Sequence, residues 1–273
     1  MRFPTRDGRA RPPSLGQAAA LGGLHGPVEL LPVSSSGHIA ALPWLLGWDY
    51  DRLDPEARKG FEVAVHAGTA AALLTASPPQ LPHPADRRRL TTMALAAAPP
   101  AVAGLWLRPV IARRLGTAAT IAMGLVAGSL LMLLADRAEG ERETGDAGPV
   151  DGTCLGLAQA CALAPGISRS GATLAVGRLR GFKPEAAAQL SRDVGLPVIV
   201  GAAALEAWTL RGRRLEPGWA MAMAAGAGAA FVSTLLAART IRAKAGRAMA
   251  PWAVYRVALA ALILIRRRSG SSP

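Results

Sequence analysis

Two short stretches hold most of the residues in this chain that could do chemistry. Residues 26–38 read GPVELLPVSSSGH and residues 165–173 read PGISRSGAT. Each sets a proline, a run of hydroxyls and a glycine inside largely apolar sequence. In the first, Glu29 is a carboxylate that would cost ~2.5–3.5 kcal/mol or more at the centre of a hydrocarbon layer. It reads as a metal ligand or general base, with a structural partner for a buried arginine as the lesser alternative. His25 stands four residues earlier, on the same face if the segment is helical. An imidazole and a carboxylate one turn apart can share a divalent cation or a proton. Ser34, Ser35, Ser36 and Gly37 follow Pro32 and precede a helix, where N–H groups and hydroxyls converge and the helix dipole favours an anion. His38 ends the run as an acid, base or nucleophile. In the second stretch, Arg169 stands among Ser168, Ser170, Gly171 and Thr173. A charged guanidinium in an apolar loop needs an anion, and its planar fork fits a phosphate bidentately. The two loops are therefore expected to meet at one anion site, with Glu29 near Arg169. Glu62, His66, Arg192, Asp193, Glu206 and Arg256 read equally well as inter-helix pairs or end groups.

The elements that must position these loops read as membrane spans. Of 273 residues 51% are hydrophobic and 18% charged, and the net charge of +13 is nearly all arginine. The basic residues cluster at 87–89, 113–114, 211–214, 239–247 and 266–268, between apolar runs. Residues 117–135 and 217–238 carry no charge, and about 20 such residues cross a hydrocarbon core. Basic clusters flanking apolar runs are the pattern of membrane loops. With no basic stripe interleaved with stacking aromatics, nucleic acid is excluded as the expected partner. Cys154 and Cys161 read as small packing residues. The basic N-terminus leads into no clean cleavable signal.

Taken in order, a short helix at 14–24 with Ser14 as its cap meets Gly26–Pro27 and Pro32, which are expected to break it. A second short apolar piece, 37–48, completes a re-entrant hairpin. Spans at 61–76, 90–107 (kinked at Pro99–Pro100) and 117–135 follow, then a polar loop at 136–151. The pattern then restarts: a helix at 152–164, a break at 165–171, a resumption at 172–176, and spans at 186–210, 217–238 and 250–265. LGGLHG…LLPVSSSG echoes in LGLAQA…LAPGISRSG. Three spans between the hairpins make the second enter from the opposite face, so the halves would be inverted repeats with both breaks near the midplane. The expected fold is an all-α integral membrane protein, one re-entrant helical hairpin plus three transmembrane helices, twice. Residues 1–13 form a basic tail, 14–266 one transmembrane domain (repeats 14–135 and 152–266), and 267–273 a C-terminal tail. Loop charges do not set the orientation.

VELLPVSSSGH, FEVAVHAGT, LGLAQACALAPGISRSGAT, GLPVIVGA and PWAVYRVAL together resemble the undecaprenyl-diphosphatase family, also called the bacitracin-resistance proteins. The likeness covers nearly the whole chain, and the two loop motifs in this order are highly specific. It implies a multi-pass enzyme of the bacterial plasma membrane that removes one phosphate from a C55 polyprenyl diphosphate and returns the lipid carrier to cell-wall synthesis. It also implies a site open to the outer face, a divalent cation (Mg²⁺ or Ca²⁺) and membrane lipids as surroundings, and it allows a homodimer. The family's acidic motif carries onto Glu29, its serine–histidine motif onto Ser34, Ser35 and His38, and its arginine motif onto Ser168, Arg169, Ser170 and Thr173. The mechanism expected from these residues has Arg169 and the serine loop hold the diphosphate and a cation sit on Glu29 with help from His25. Ser35 or a water attacks, and His38 manages the proton. Two departures stand out. His25 occupies a position where the family has Glu or Gln, and imidazole suits a hard cation less well than carboxylate. Arg192 and Asp193 interrupt an apolar run and each need a partner. The competing expectations are a polyprenyl-phosphate flippase and a lipid-diphosphate-binding paralogue with reduced activity.

Overall fold

The computed structural model describes residues 12–48, 50, 53, 55–76, 86–107, 110–111, 114–211, 217–241 and 248–268. Residues 1–11 of the expected N-terminal tail, 269–273 of the C-terminal tail, and residues 113, 212–214 and 242–247 of the arginine clusters lie outside these. Among the described residues ten α-helices carry the fold and no strand forms; one isolated bridge pairs Arg142 with Phe182.

The first hairpin is α1 (Leu15–Leu30) and α2 (Ser35–Leu45), followed by α3 (Pro55–Ala76), α4 (Arg87–Trp106) and α5 (Ala118–Asp136). The second is α6 (Pro149–Cys161) and α7 (Arg169–Leu179), followed by α8 (Pro184–Leu210), α9 (Pro217–Ile241) and α10 (Ala250–Arg268). Each expected span is thus a helix. Of these, Ala118–Asp136 and the Gly218–Ala238 part of α9 are long and apolar enough to cross a membrane by length and hydropathy.

Ser14 caps α1 through a capping box with Gln17. The expected break at Gly26–Pro27 does not occur; α1 continues through Pro27 to Leu30. A proline inside a helix costs about 3 kcal/mol, so packing must outweigh it, and Gly22 and Gly26 show how. A Cβ on Gly22 would lie 2.1 Å from the Gly226 carbonyl oxygen, and one on Gly26 2.5 Å from the Thr234 nitrogen. The backbone of α9 therefore seats directly on this face. The helix ends instead just before Pro32, where the preceding residue is driven out of helical geometry. The pair Pro99–Pro100, where a kink is expected, lies inside the continuous α4.

The packing exchanges elements between the two halves. α1 lies on α9, and α6 lies on α4; α3 packs on α8, and α5 on α10. Buried polar side chains include His25, Glu29, His38, Thr69, Asp151, Gln159, Thr173, Ser191 and Arg256, while Trp106, Leu134, Leu236, Val254 and Ile265 face outward. An apolar exterior around a polar interior is the distribution a lipid environment selects.

The loop before α6 is clamped outside the spans. Arg142 donates to both Asp151 oxygens, at 3.1 and 2.7 Å, and Arg180 donates to Asp151 Oδ1 at 2.8 Å. Burial alone would raise the Asp151 carboxyl, but bonds from Arg142, the Gly148 N–H and Arg180 bring it down to about 2. A carboxylate below its ordinary value of about 3.9 stabilises the fold above that value, and the contribution is lost as pH falls toward about 2. Thermal unfolding in detergent should therefore drop between pH 5 and pH 3 by a larger margin in wild type than in Asp151→Asn; equal margins would remove this clamp from the stability of the fold.

Candidate active site

The two hairpin breaks come together through the same local device. Ser34 is the N-cap of α2, at φ 76°, and its Oγ accepts from the Gly37 N–H at 3.3 Å. Ser168 is the N-cap of α7, and its Oγ accepts from the Gly171 N–H at 3.2 Å. Ser34 then pairs with Ser36 and Ser168 with Ser170 through their hydroxyls. Each cap leaves the first N–H groups of its helix without an intrahelical acceptor, ready for an anion. Ser170 Oγ donates across to the Leu31 carbonyl at 3.0 Å, and a Cβ on Gly37 would lie 3.8 Å from the Gly166 Cα, so the two starts adjoin.

The expected contact between the loops is present. Arg169 donates to Glu29 Oε1 at 3.0 Å, with both side chains largely buried. Ser35 Oγ donates to Glu29 Oε2 at 2.5 Å, a short charge-assisted bond. Arg169 also reaches the Ser191 carbonyl at 3.5 Å. Ser191 Oγ and Thr173 Oγ1 lie 2.6 Å apart, tying α7 to α8. Of the two residues expected to need partners, Asp193 faces Arg89 at 3.9 Å.

Gly195 on α8 makes room for the guanidinium: a Cβ there would lie 1.7 Å from Arg169 Nη1. Gly195→Ala should push Arg169 off Glu29 while leaving the helices packed. Displacement of about 1 Å at a reacting centre can cost ~10²-fold, so turnover should fall by about that factor with little change in melting temperature. Turnover at the wild-type rate would show that the Arg169 position is not needed.

His38 is engaged at both ring nitrogens. Its Nδ1–H donates to the Ser34 carbonyl at 2.7 Å, and Tyr255 O–H donates to its Nε2 at 2.7 Å while the two rings stack. The residue expected to manage the serine proton thus braces the α2 cap, and the bond from Ser35 goes to Glu29.

Three side chains that matter here lie outside the two loop motifs. Arg256, fully buried on α10, donates to the carbonyls of Pro32, Gly166, Leu125 and Gly124. It thereby satisfies unwound backbone of both breaks, which would otherwise be stranded. Tyr255 holds His38. His66 on α3 lies beside His25, with ring centroids 4.3 Å apart. The ligand atoms of His25, Glu29 and His66 all lie within 4.8 Å of one another. Their only sequence signal is polarity at a depth where polarity is costly.

The fold and this site define an all-helical protein with span-length apolar helices that gathers a carboxylate, a guanidinium and two serine-capped helix starts between two broken hairpins. The sequence model of the family described as bacitracin resistance protein BacA matches residues 18–262, and the chain belongs to that family. Among curated proteins it is similar to undecaprenyl-diphosphatase of Thermomicrobium roseum, 33% identical over 91% of this chain and 96% of the relative. It is 35% identical to undecaprenyl-diphosphatase of Trichlorobacter lovleyi, over 88% and 93%. With that of an Anaeromyxobacter species it shares 37% identity over 82% and 78%.

Proposed function

We propose that this chain hydrolyses undecaprenyl diphosphate to the monophosphate and inorganic phosphate, recycling the lipid carrier and conferring bacitracin resistance. The observation that carries the reading is the Glu29 carboxylate bonded at once to Arg169 and to Ser35, between two capped helix starts. Arg169, the Ser34–Gly37 and Ser168–Gly171 turns and Thr173 form the diphosphate grip. The fork and the N–H groups neutralise the transferred phosphoryl oxygens. Glu29 takes the proton from Ser35 Oγ, which attacks the terminal phosphorus in line. The anhydride P–O bond breaks and the lipid monophosphate leaves. Water then attacks the serine phosphoester, the P–Oγ bond breaks, Glu29 returns its proton to Ser35 Oγ, and inorganic phosphate leaves carrying the water's atoms. His38, through Ser34 and Tyr255, acts as a positioning residue.

The setting in this reading is a multi-pass protein of the bacterial plasma membrane, 14–266 forming one domain of two inverted repeats. The exchanged packing, α1 on α9 and α6 on α4, supports such a two-fold relation. The polyprenyl tail stays in lipid between the helices. A divalent cation belongs to this reading as a charge-neutralising group at Glu29, with His25 and His66 as further donors. The hard ions Mg²⁺ and Ca²⁺ fit that donor set poorly, since they favour several oxygen ligands.

Purified protein in detergent, given undecaprenyl diphosphate, should release one phosphate per lipid and leave the monophosphate. A flippase would instead move lipid phosphate across vesicles without releasing any. Vesicle transport with no phosphate release would overturn the hydrolase reading.

A further inference from the structure

His25 is fully buried, and its Nε2 has no hydrogen-bond partner. An unpaired polar atom in a dry interior is costly, and this one points toward Glu29, 4.0 Å from Oε2. The other ring nitrogen, Nδ1, is engaged by Thr69 Oγ1 at 2.8 Å, and Thr234 Oγ1 lies 3.3 Å from that same hydroxyl. On α3, His66 Nδ1–H donates to the Glu62 carbonyl at 2.8 Å, which leaves its Nε2 as the lone-pair nitrogen. Two imidazoles are thus each fixed at Nδ1 by an outer partner, with Nε2 left over beside one carboxylate. That is how proteins orient histidines toward a metal.

We infer that His25 Nε2, His66 Nε2 and Glu29 form a site for a borderline divalent transition ion of the Zn²⁺ class. This deepens the hydrolase reading and rests on it for the ion's use, though not for its binding. Two neutral imidazoles and one carboxylate are a donor set of open catalytic zinc sites, whereas Mg²⁺ and Ca²⁺ select oxygen. The carboxylate has lone pairs to spare beyond those used by Arg169 and Ser35. Charge agrees as well. One carboxylate among a guanidinium and a dication leaves the site net positive, as a diphosphate requires. A second carboxylate in place of His25 would lower that charge and harden the donor set.

The test uses full-length protein in detergent, stripped with chelator and titrated with Co²⁺ alone as a spectroscopic probe. The expected result is one Co²⁺ per chain, giving the visible bands of a low-coordinate imidazole site. Zn²⁺ should abolish them, and a large excess of Mg²⁺ should not. His66→Gln, at a half-buried position, should weaken Co²⁺ binding at least tenfold with the helical circular dichroism unchanged. His25→Glu should shift the stimulation of phosphate release from Zn²⁺ toward Mg²⁺. Stoichiometric Co²⁺ binding without phosphate release under any ion would uphold the site and sink the hydrolase reading. Phosphate release supported by Mg²⁺, with no Co²⁺ bands and no effect of His66→Gln, would overturn the site and leave the hydrolase reading standing.

Discussion

Arg169→Ala is expected to lower phosphate release from undecaprenyl diphosphate by ~10³-fold or more, the scale seen when a phosphoryl-stabilising guanidinium is lost. The residue opens α7 directly after its Ser168 cap, and its fork spans from Glu29 to the Ser191 carbonyl. Arg256, the arginine buried beside it, instead donates to the carbonyls of the two breaks. Arg169→Lys should recover little, because a point charge cannot reproduce the planar fork. The fold should persist in both variants, since the Ser168 cap and the bond from Ser170 to Leu31 do not involve the Arg169 side chain. Turnover and thermal unfolding measured on the same preparations separate the outcomes. Near wild-type turnover in a folded Arg169→Ala protein would refute the grip.

Glu29→Gln is expected to be the second large loss, ~10²–10⁴-fold for a missing general base. Glutamine keeps the shape and can still accept from Ser35 or Arg169, so the loss should fall on kcat while KM changes little. The variant also separates chemistry from carriage: a lipid-phosphate transporter has no need of a base at Ser35. A variant that still turns over at the wild-type rate would exclude Glu29 as the proton acceptor.

What the sequence revealed of the site was set by cost. Glu29 and Arg169 are legible because a charge in apolar sequence must have a partner, and each lies next to a proline break that marks unwound backbone. The two serine runs are legible because hydroxyl–hydroxyl–glycine before a helix is cap chemistry, and both became caps. The helices were legible from apolar runs between arginine clusters. The stop at Gly26–Pro27 was misread because the strength of packing against α9 is not written in α1; only the approach of Gly226 and Thr234 reveals it. His66 and Arg256 stayed ambiguous, and Tyr255 and Gly195 went unread, for the same reason. Each acts on a residue far away in the chain, His66 on His25 and Tyr255 on His38, and helix packing alone decides those meetings. His38 was legible from its place at the end of three hydroxyls and a glycine, but its partners, the Ser34 carbonyl and Tyr255, were not.

The most direct test of the central claim, that a carboxylate from one broken hairpin and a guanidinium from the other act as one unit, is a double-mutant cycle on kcat for phosphate release with Arg169→Ala, Glu29→Gln and the pair. The double variant should be little worse than either single one, because residues that act together are strongly non-additive. Losses that multiply independently, or a single variant at the wild-type rate, would show that the two hairpins do not share one site.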